Sequence, residues 1–178
     1  MSMTVVPLQL HEAILGQTGS GKSHLAKHKA SHLKASGVGV LVLHMDIEPW
    51  PLACHSWQTD DPAEFLRMFW AARNCACFME LADAEVAKYD LGFHRCFTKG
   101  RHFGHRCFFV SQRAAQVHPA IRENCTSLAL FSVQADPAKL WSKEFNDPVL
   151  LKAASLPPRC FYYKTNRYTP ARLLKLSA

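Results

Sequence analysis

The loop GQTGSGKS at residues 16–23 constrains the fold of this chain more than any other feature. The stretch HEAIL at residues 11–15 predicts a short strand that ends at the loop, and KSHLAKHKASHLK predicts a helix from Lys22 to about Lys34. The loop matches the full pattern G-x-x-x-x-G-K-[ST]. A strand, a glycine-rich turn and a helix in this order predict a phosphate-binding loop rather than a flexible loop with an incidental lysine.

Each residue type in this loop has a chemical reason to be there. Gly16, Gly19 and Gly21 allow a tight turn in which successive backbone N–H groups face one concavity, and the helix that follows adds its positive N-terminal dipole. Lys22 supplies a charge for the β- and γ-phosphates, and the Ser23 hydroxyl can ligate Mg²⁺. The predicted nucleotide-binding residues are Gly16, Gln17, Thr18, Gly19, Ser20, Gly21, Lys22 and Ser23.

The rest of the chain alternates predicted strands and helices. Predicted strands lie at residues 38–45, 75–79, 105–112 and 127–133. Helical patterns follow most of them, and one begins with the N-cap and proline signal Asp61-Pro62. The pattern predicts an α/β three-layer fold with a mainly parallel central sheet. We expect a single domain over residues 1–178, with a core at 11–150 and a short C-terminal β appendage at about 158–178.

Composition sets limits on partners and on location. The net charge of +7 and the pI near 9.2 permit a polyanionic partner such as DNA without establishing one. No apolar run has the length of a membrane span, so none is expected. The 7 cysteines are odd in number and include no Cys-x-x-Cys pair. We interpret them as reduced thiols in the core of a cytosolic protein.

An ATPase of this kind needs an acid at the end of a neighbouring strand, and Glu80, after CACFM at 75–79, is the best candidate. Such strands usually end in an Asp-Glu pair, so one acid is missing in either register. If Glu80 takes the first position the second acid is lost, and if it takes the second position the metal-side acid is lost. Asp83, one turn later, is a candidate to replace the missing acid, and Asp46 and Glu48 are alternative acids. The simplest alternative is that Glu80 only caps a helix.

The strand CFFVSQ ends in Ser111-Gln112. Ligands of α/β sheets bind outside the carboxyl ends of the strands, so Gln112 is placed to hydrogen-bond a γ-phosphate or an attacking water. The alternative is a polar residue that merely ends a strand.

Residues 94–106, HRCFTKGRHFGHR, form a basic and histidine-rich segment. Three interpretations remain open: a DNA-facing patch, an arginine finger that reaches a neighbouring subunit, or a solvated loop. A zinc site is a further alternative, although two His-x-Cys pairs are not a standard zinc spacing and core packing is favoured. Its candidate ligands are His94, Cys96, His102, His105 and Cys107.

Two segments together resemble the FtsK/HerA superfamily of P-loop translocases, and most closely its small phage and viral genome-packaging ATPases, with Zot-like phage assembly proteins nearby. GQTGSGKS resembles the family variant G-x-T-G-S-G-K-[ST]. Residues 100–131 resemble the family's arginine, apolar strand, [ST]-Gln-Arg and following strand. With LVLHMDIEPWP and CACFMELAD, the resemblance covers roughly residues 11–150.

This resemblance implies a RecA-like fold, a ring that is commonly hexameric, and ATP hydrolysis with Mg²⁺. On this chain it implies that Lys22 and Ser23 bind phosphate and Mg²⁺ and that Glu80 is the Walker B acid, also on the metal. Gln112 would be the polar sensor. Arg101 is the first choice for a finger acting on the next subunit, and Arg122 is the second.

The function implied is a motor that moves double-stranded DNA and works in the host cytoplasm or at a virion packaging vertex. A vertex or portal protein of the virion is a candidate partner. A Zot-like assembly or secretion ATPase is the second hypothesis. A small-molecule P-loop kinase, with residues 94–106 as its lid, is a third. A nucleotide-switched structural protein that hydrolyses poorly is a fourth, and the missing acid would suit it.

Overall fold

A computed structural model describes residues 11–44, 48–81 and 91–177 of the 178-residue chain. The strands of this part of the chain are β1 (His11–Leu15), β2 (Gly39–His44), β3 (Trp57–Thr59), β4 (Cys75–Glu80), β5 (Arg106–Ser111), β6 (Cys125–Leu130), β7 (Cys160–Lys164) and β8 (Arg172–Lys175). They form one sheet in the order β3-β2-β4-β5-β1-β6-β7-β8. The pairs from β3 to β6 are parallel, and β7 and β8 join antiparallel. The predicted mainly parallel sheet with a C-terminal β appendage is confirmed.

Five described α-helices and four 3₁₀ turns connect the strands. The helices are α1 (Lys22–Ala35), α2 (Pro62–Ala71), α3 (Leu91–Lys99), α4 (Pro119–Arg122) and α5 (Ala135–Glu144). The 3₁₀ turns span Leu52–Cys54, Gly100–Phe103, Ala114–Gln116 and Pro148–Ser155. Asp61 caps α2 as predicted, because its side chain accepts hydrogen bonds from the backbone N–H groups of Ala63 and Glu64. No helix among the described residues is long and apolar enough to cross a membrane.

The two faces of the sheet carry separate cores, because side chains alternate along each strand. On one face α1 packs against a cluster that includes Ile14, Phe78 and Phe131. The other described helices pack on the opposite face, around residues such as Phe69 and Trp141. Helices on both faces give the predicted three layers. All seven cysteines are free thiols and five are buried, which agrees with their prediction as core residues.

The sheet order places β5 between β1 and β4, with Leu15 level with Ser111 and Glu80 level with Val110. Since these strands are parallel, their last residues lie along one side of the sheet, which we call the carboxyl edge. The opposite side is the amino edge. The loop after β1, Gln112 after β5 and Glu80 at the end of β4 therefore meet at the carboxyl edge.

Three parts of the fold differ from expectation. The basic segment at residues 94–106, for which a solvated loop was one of three open interpretations, is largely α3 and the turn Gly100–Phe103, because Phe93, Cys96 and Phe97 form a buried helical face. The three-residue strand β3 carries no clear sequence signal, and the 3₁₀ turn Pro148–Ser155 was not predicted although it begins with an Asp-Pro pair, as α2 does. The sequence LADAEVAKYDLGF also predicts a helix; most of it lies at residues 82–90, outside the described residues, and its last three residues begin α3.

Candidate nucleotide-binding site

The glycine-rich loop turns directly from β1 into α1. Gly21 caps α1 with φ at +108°, a conformation that residues with a Cβ rarely adopt, so glycine is required at that position. Gly16 is required for space, because a Cβ there would lie 2.5 Å from Cβ of Phe131. The loop therefore has the tight backbone and the adjoining helix N-terminus that the sequence predicts for a phosphate cradle.

Backbone hydrogen bonds fix the loop to its surroundings. Gly16 N–H donates to the Ser111 carbonyl at 3.3 Å, and Gln17 N–H donates to the Ser132 carbonyl at 2.9 Å. From the C-terminal region, Arg159 N–H donates to the Ser20 carbonyl at 3.0 Å. The loop is thus held on three sides: by Ser111 at the end of β5, by Ser132 after β6, and by Arg159 before β7.

Glu80 is the acid that the structure places beside the loop. The Ser23 hydroxyl donates to one carboxylate oxygen, and the indole Nε1–H of Trp50 donates to the other at 2.7 Å. Glu80 is buried, and both of these donors are neutral groups. A serine hydroxyl beside a carboxylate is an oxygen donor set that suits Mg²⁺.

Alternation along β4 decides which acid position Glu80 occupies. Phe78 and Glu80 share the face that α1 covers, whereas Met79 is buried in the opposite core. Glu80 therefore lies on the side of the sheet that faces Ser23, and the next residue is the buried Leu81. Of the alternative acids, Asp46 and Asp83 lie outside the described residues and Glu48 is exposed.

Gln112 lies against the loop on the other flank. The Thr18 hydroxyl donates to the Gln112 side-chain carbonyl oxygen at 2.6 Å. A cavity of about 340 Å³ opens beside this contact and is lined by residues of both segments, including Gln17, Gln112 and Gln116. The polar end of β5 is thus in direct contact with the phosphate-binding loop.

The two candidate arginines are both distant from this arrangement. Arg101 is exposed in the turn Gly100–Phe103 at the amino edge, where Asn74 N–H donates to the Phe103 carbonyl at 3.0 Å. Arg122 is occupied within the chain: its Nε lies 3.5 Å from a carboxylate oxygen of Glu144. Of the two, Arg101 is therefore the exposed side chain, and Arg122 is the one held by an ion pair.

The histidines of the basic segment divide between core and surface. His105 is fully buried, its ring bonds to the Phe69 carbonyl at 2.9 Å and to Cys75 N–H at 3.2 Å, and burial lowers its pKa. His94 is buried and stacks on His118 with ring centroids 3.9 Å apart. Within residues 11–44, 48–81 and 91–177 no group of three histidine, cysteine or acidic side chains is arranged to hold a metal, so the zinc interpretation has no support.

Sequence reasoning missed Trp50, which contacts Glu80 from 30 positions away. The only local signal was the sequence EPWP after a predicted strand, and that signal indicates a chain break rather than a contact with an acid. The contact depends on β2 and β4 being neighbours in the sheet.

No protein-family model matches the sequence, and no curated protein matches it significantly. Several solved structures, by contrast, superpose well on this chain. The genome packaging NTPase B204 from Sulfolobus turreted icosahedral virus 2, in complex with ATP-gammaS, superposes with a TM-score of 0.80 at 15% identity, over 97% of this chain and 100% of that chain. The pCW3 conjugation coupling protein TcpA, with ATPgS, has a TM-score of 0.72 at 14% identity, over 94% of this chain and 60% of that one.

A third similar structure is the cytoplasmic domain of the Thermomonospora curvata type VII secretion ATPase EccC. It superposes with a TM-score of 0.63 at 15% identity, over 94% of this chain and 23% of that chain. At these identities the likeness is one of fold. The chain therefore has the P-loop ATPase fold that the genome packaging NTPase, the coupling protein and the secretion ATPase share.

Proposed function

We propose that this protein is an ATP-hydrolysing motor of the FtsK/HerA type that translocates double-stranded DNA during viral genome packaging. The observation that carries the proposal is that the shared fold covers 97% of this chain and 100% of the genome packaging NTPase B204. The meeting of Ser23, Glu80 and Gln112 at one edge of the sheet supports it, because phosphoryl transfer needs these groups around one phosphate.

Each residue of the site has a role in this proposal. The backbone N–H groups of residues 16–23 and the Lys22 ammonium hold the phosphates of ATP, and Ser23 and Glu80 hold Mg²⁺. The bound metal would neutralise charge that develops on the phosphate oxygens. Gln112, fixed against Thr18, orients the attacking water.

Subunit cooperation completes the proposed mechanism. Arg101 lies at the amino edge, too far along the sheet to serve its own loop, so we assign it to the nucleotide site of the next subunit in a ring. By family resemblance we propose that this ring is a hexamer. An arginine supplied in this way stabilises the transferred phosphoryl group. The whole of residues 1–178 would act as one ATPase unit at a packaging vertex in the host cytoplasm, in contact with a vertex or portal protein.

One observation favours a second candidate. Leu81 occupies the position after Glu80, where a second acid would stand, and it is buried. A protein that assembles on ATP and hydrolyses it slowly would need only the metal-side acid. The Zot-like assembly ATPase and the small-molecule kinase gain no comparable support from the site.

The deciding experiment measures ATPase rate with and without double-stranded DNA, beside a mass determination in ATP. The motor predicts DNA-stimulated turnover by a ring. ATP-dependent assembly without stimulated turnover would favour the nucleotide-switched protein, and phosphate transfer to a nucleoside or metabolite without DNA would favour the kinase.

Two variants test the assigned residues. Lys22→Ala should lose ATP binding, and retained binding would contradict the phosphate-binding loop. Arg101→Ala should bind ATP and assemble but turn over slowly, whereas full turnover in the assembled ring would show that another residue is the finger.

A further inference from the structure

Trp50 has a place in this site that the proposed function does not use. Its indole N–H donates to the Glu80 carboxylate oxygen at 2.7 Å, and the side chain is buried, with a relative exposure of 2%. The other carboxylate oxygen accepts the Ser23 hydroxyl. Both oxygens of the acid therefore have a defined donor, one from the phosphate-binding loop and one from Trp50.

Trp50 is itself held firmly. Its backbone N–H donates to the Gln58 side-chain oxygen at 2.9 Å, and the Gln58 amide donates back to the Trp50 carbonyl at 3.2 Å. The His55 ring lies 3.2 Å from the same carbonyl. The indole packs on Phe78, two residues before Glu80 on β4, with ring centroids 5.5 Å apart. The indole N–H is thus a preset donor rather than a surface group that happens to reach the acid.

The chemistry of indole restricts what this contact can do. An indole N–H donates one hydrogen bond, accepts none, and neither ligates a metal nor exchanges a proton near neutral pH. A hydrogen bond from a neutral donor to a carboxylate is charge-assisted, and it orients the carboxylate without cancelling its charge. The contact can therefore position Glu80 and leave its charge for a cation.

We propose that Trp50 is the positioning residue of the metal site: it anchors one oxygen of Glu80, so that this single acid presents the other oxygen to Mg²⁺ beside Ser23. The inference rests on the proposed function. Where two acids usually follow the strand, this chain has Glu80 followed by Leu81, and a fixed orientation of the one carboxylate takes over part of the ordering. Groups behind a metal ligand commonly act in this way.

The test is Trp50→Phe, which keeps an aromatic ring against Phe78 and removes the N–H. Binding of ATPγS would be titrated with Mg²⁺ present and absent, a readout that needs no turnover. We expect the Mg²⁺ concentration for half-maximal effect to rise about tenfold, in the range seen when a partner behind a metal ligand is removed. Affinity for ATPγS without Mg²⁺ should stay unchanged, because the phosphate-binding loop is intact.

Trp70→Phe is the matched control, because Trp70 lies on α2, away from Glu80. It packs on Phe69 of the same helix and on Phe103 near the amino edge. It should leave the Mg²⁺ dependence as in the wild type. If Trp50→Phe fails to fold, replacement of Trp50 by benzothienylalanine keeps the bicyclic shape without the N–H.

An unchanged Mg²⁺ dependence in a folded Trp50 variant overturns this inference while the proposed function stands. Wild-type protein that binds ATPγS equally with and without Mg²⁺ overturns the inference as well. Wild-type protein that binds no ATPγS overturns both proposals, so the two failures can be told apart.

Discussion

Glu80 and Glu12 are both buried acids on the face of the sheet that α1 covers, yet their surroundings differ. Glu12 is fully buried, and its oxygens lie 3.0 Å from Lys29 Nζ and 3.0 Å from Arg106 Nη2. Glu80 receives its hydrogen bonds from a hydroxyl and an indole, which are neutral. Because both acids are buried, we base the proposal that Glu80 is functional and Glu12 structural on the charge of the groups around each acid.

Charge balance explains the difference. Two cations more than offset the charge of Glu12, so it has nothing to offer a metal ion and instead joins β1 to α1 and β5. The hydrogen bonds to Glu80 come from neutral donors and leave its negative charge for a cation, which is the partner that a buried carboxylate needs. The same helix serves both acids, with Ser23 in its first turn and Lys29 further along.

The largest expected effect comes from Glu80→Gln. The amide can still accept from Trp50 and donate to Ser23, so the fold should persist while the negative charge is lost. We expect turnover to fall about 100-fold or more, as when a preorganised electrostatic group is removed from an active site. Phosphate release and thermal melting measure the two properties. Near-normal turnover with an unchanged melting temperature would make Glu80 no more functional than Glu12.

Glu12→Gln should show the reverse pattern: stability should fall while turnover is retained. It leaves Lys29 and Arg106 without their carboxylate, and we expect the free energy of unfolding to fall by about 3 kcal/mol, the low end for breaking a buried pair because both cations are partly exposed. Denaturant unfolding measures it. Turnover well below the melting temperature should be unaffected, and a selective loss of turnover with full stability would contradict the structural role.

Asp147 is a third buried acid and extends the comparison to the C-terminal hairpin. It accepts hydrogen bonds from Lys164 Nζ at 2.9 Å and from backbone N–H of Ala171 at 2.8 Å and of Val149 at 3.1 Å. We expect Asp147→Asn to lower the free energy of unfolding by about 2 kcal/mol, as for buried hydrogen bonds to a charged group. A fall in the free energy of unfolding of less than about 0.5 kcal/mol, as for an exposed surface pair, would contradict a stabilising role of Asp147.

The same acid predicts a pH dependence. Burial raises the pKa of Asp147, but hydrogen bonds from Lys164 and from the two backbone amides outweigh burial, so the folded-state pKa is lowered. The stabilisation is therefore complete above the unfolded pKa of about 4 and is lost as the pH falls through the folded-state pKa. The stability difference between wild type and Asp147→Asn should shrink on acidification below that point, and a constant difference would contradict the assignment.

The smallest effect is expected at the surface pair of Asp136 and Lys139, 3.3 Å apart with side chains 92% and 70% exposed. Asp136→Asn should change the free energy of unfolding by less than about 0.5 kcal/mol, because water screens exposed pairs. Denaturant unfolding at low and high salt checks this. A larger change would mean that exposure does not explain why Asp136 contributes less to stability than the buried acids Glu12 and Asp147.

The sequence predicted the parts of the site that local chain geometry determines. Strand β1 and the start of α1 lie where the pattern placed them, because the turn between them depends on glycines within the loop itself. The position of Glu80 at the end of a buried strand was likewise predicted from local sequence, since it directly follows the apolar run CACFM. Which of the two acid positions Glu80 corresponds to stayed open in the sequence, because the Ser23 hydroxyl that contacts Glu80 belongs to another element.

Contacts between distant segments were beyond prediction. The Trp50–Glu80 bond requires β2 beside β4, and the partners of Glu12 come from α1 and β5, 17 and 94 positions away. Helix α3 was missed because the basic residues of HRCFTKGRHFGHR concealed a buried face of Phe93, Cys96 and Phe97. Charge in that segment indicated surface, whereas half of the helix packs inward.

The order in which the loop's supports occur along the chain has a consequence for synthesis. Residues 16–23 leave the ribosome early, but the groups that hold them follow much later, at Ser111, Ser132 and Arg159, and Leu176 packs next to Gly21. Contacts of such long sequence separation form late. A nascent chain thus lacks the finished cradle until its last strands have emerged, and nucleotide binding can report, in a translation assay, that folding is complete.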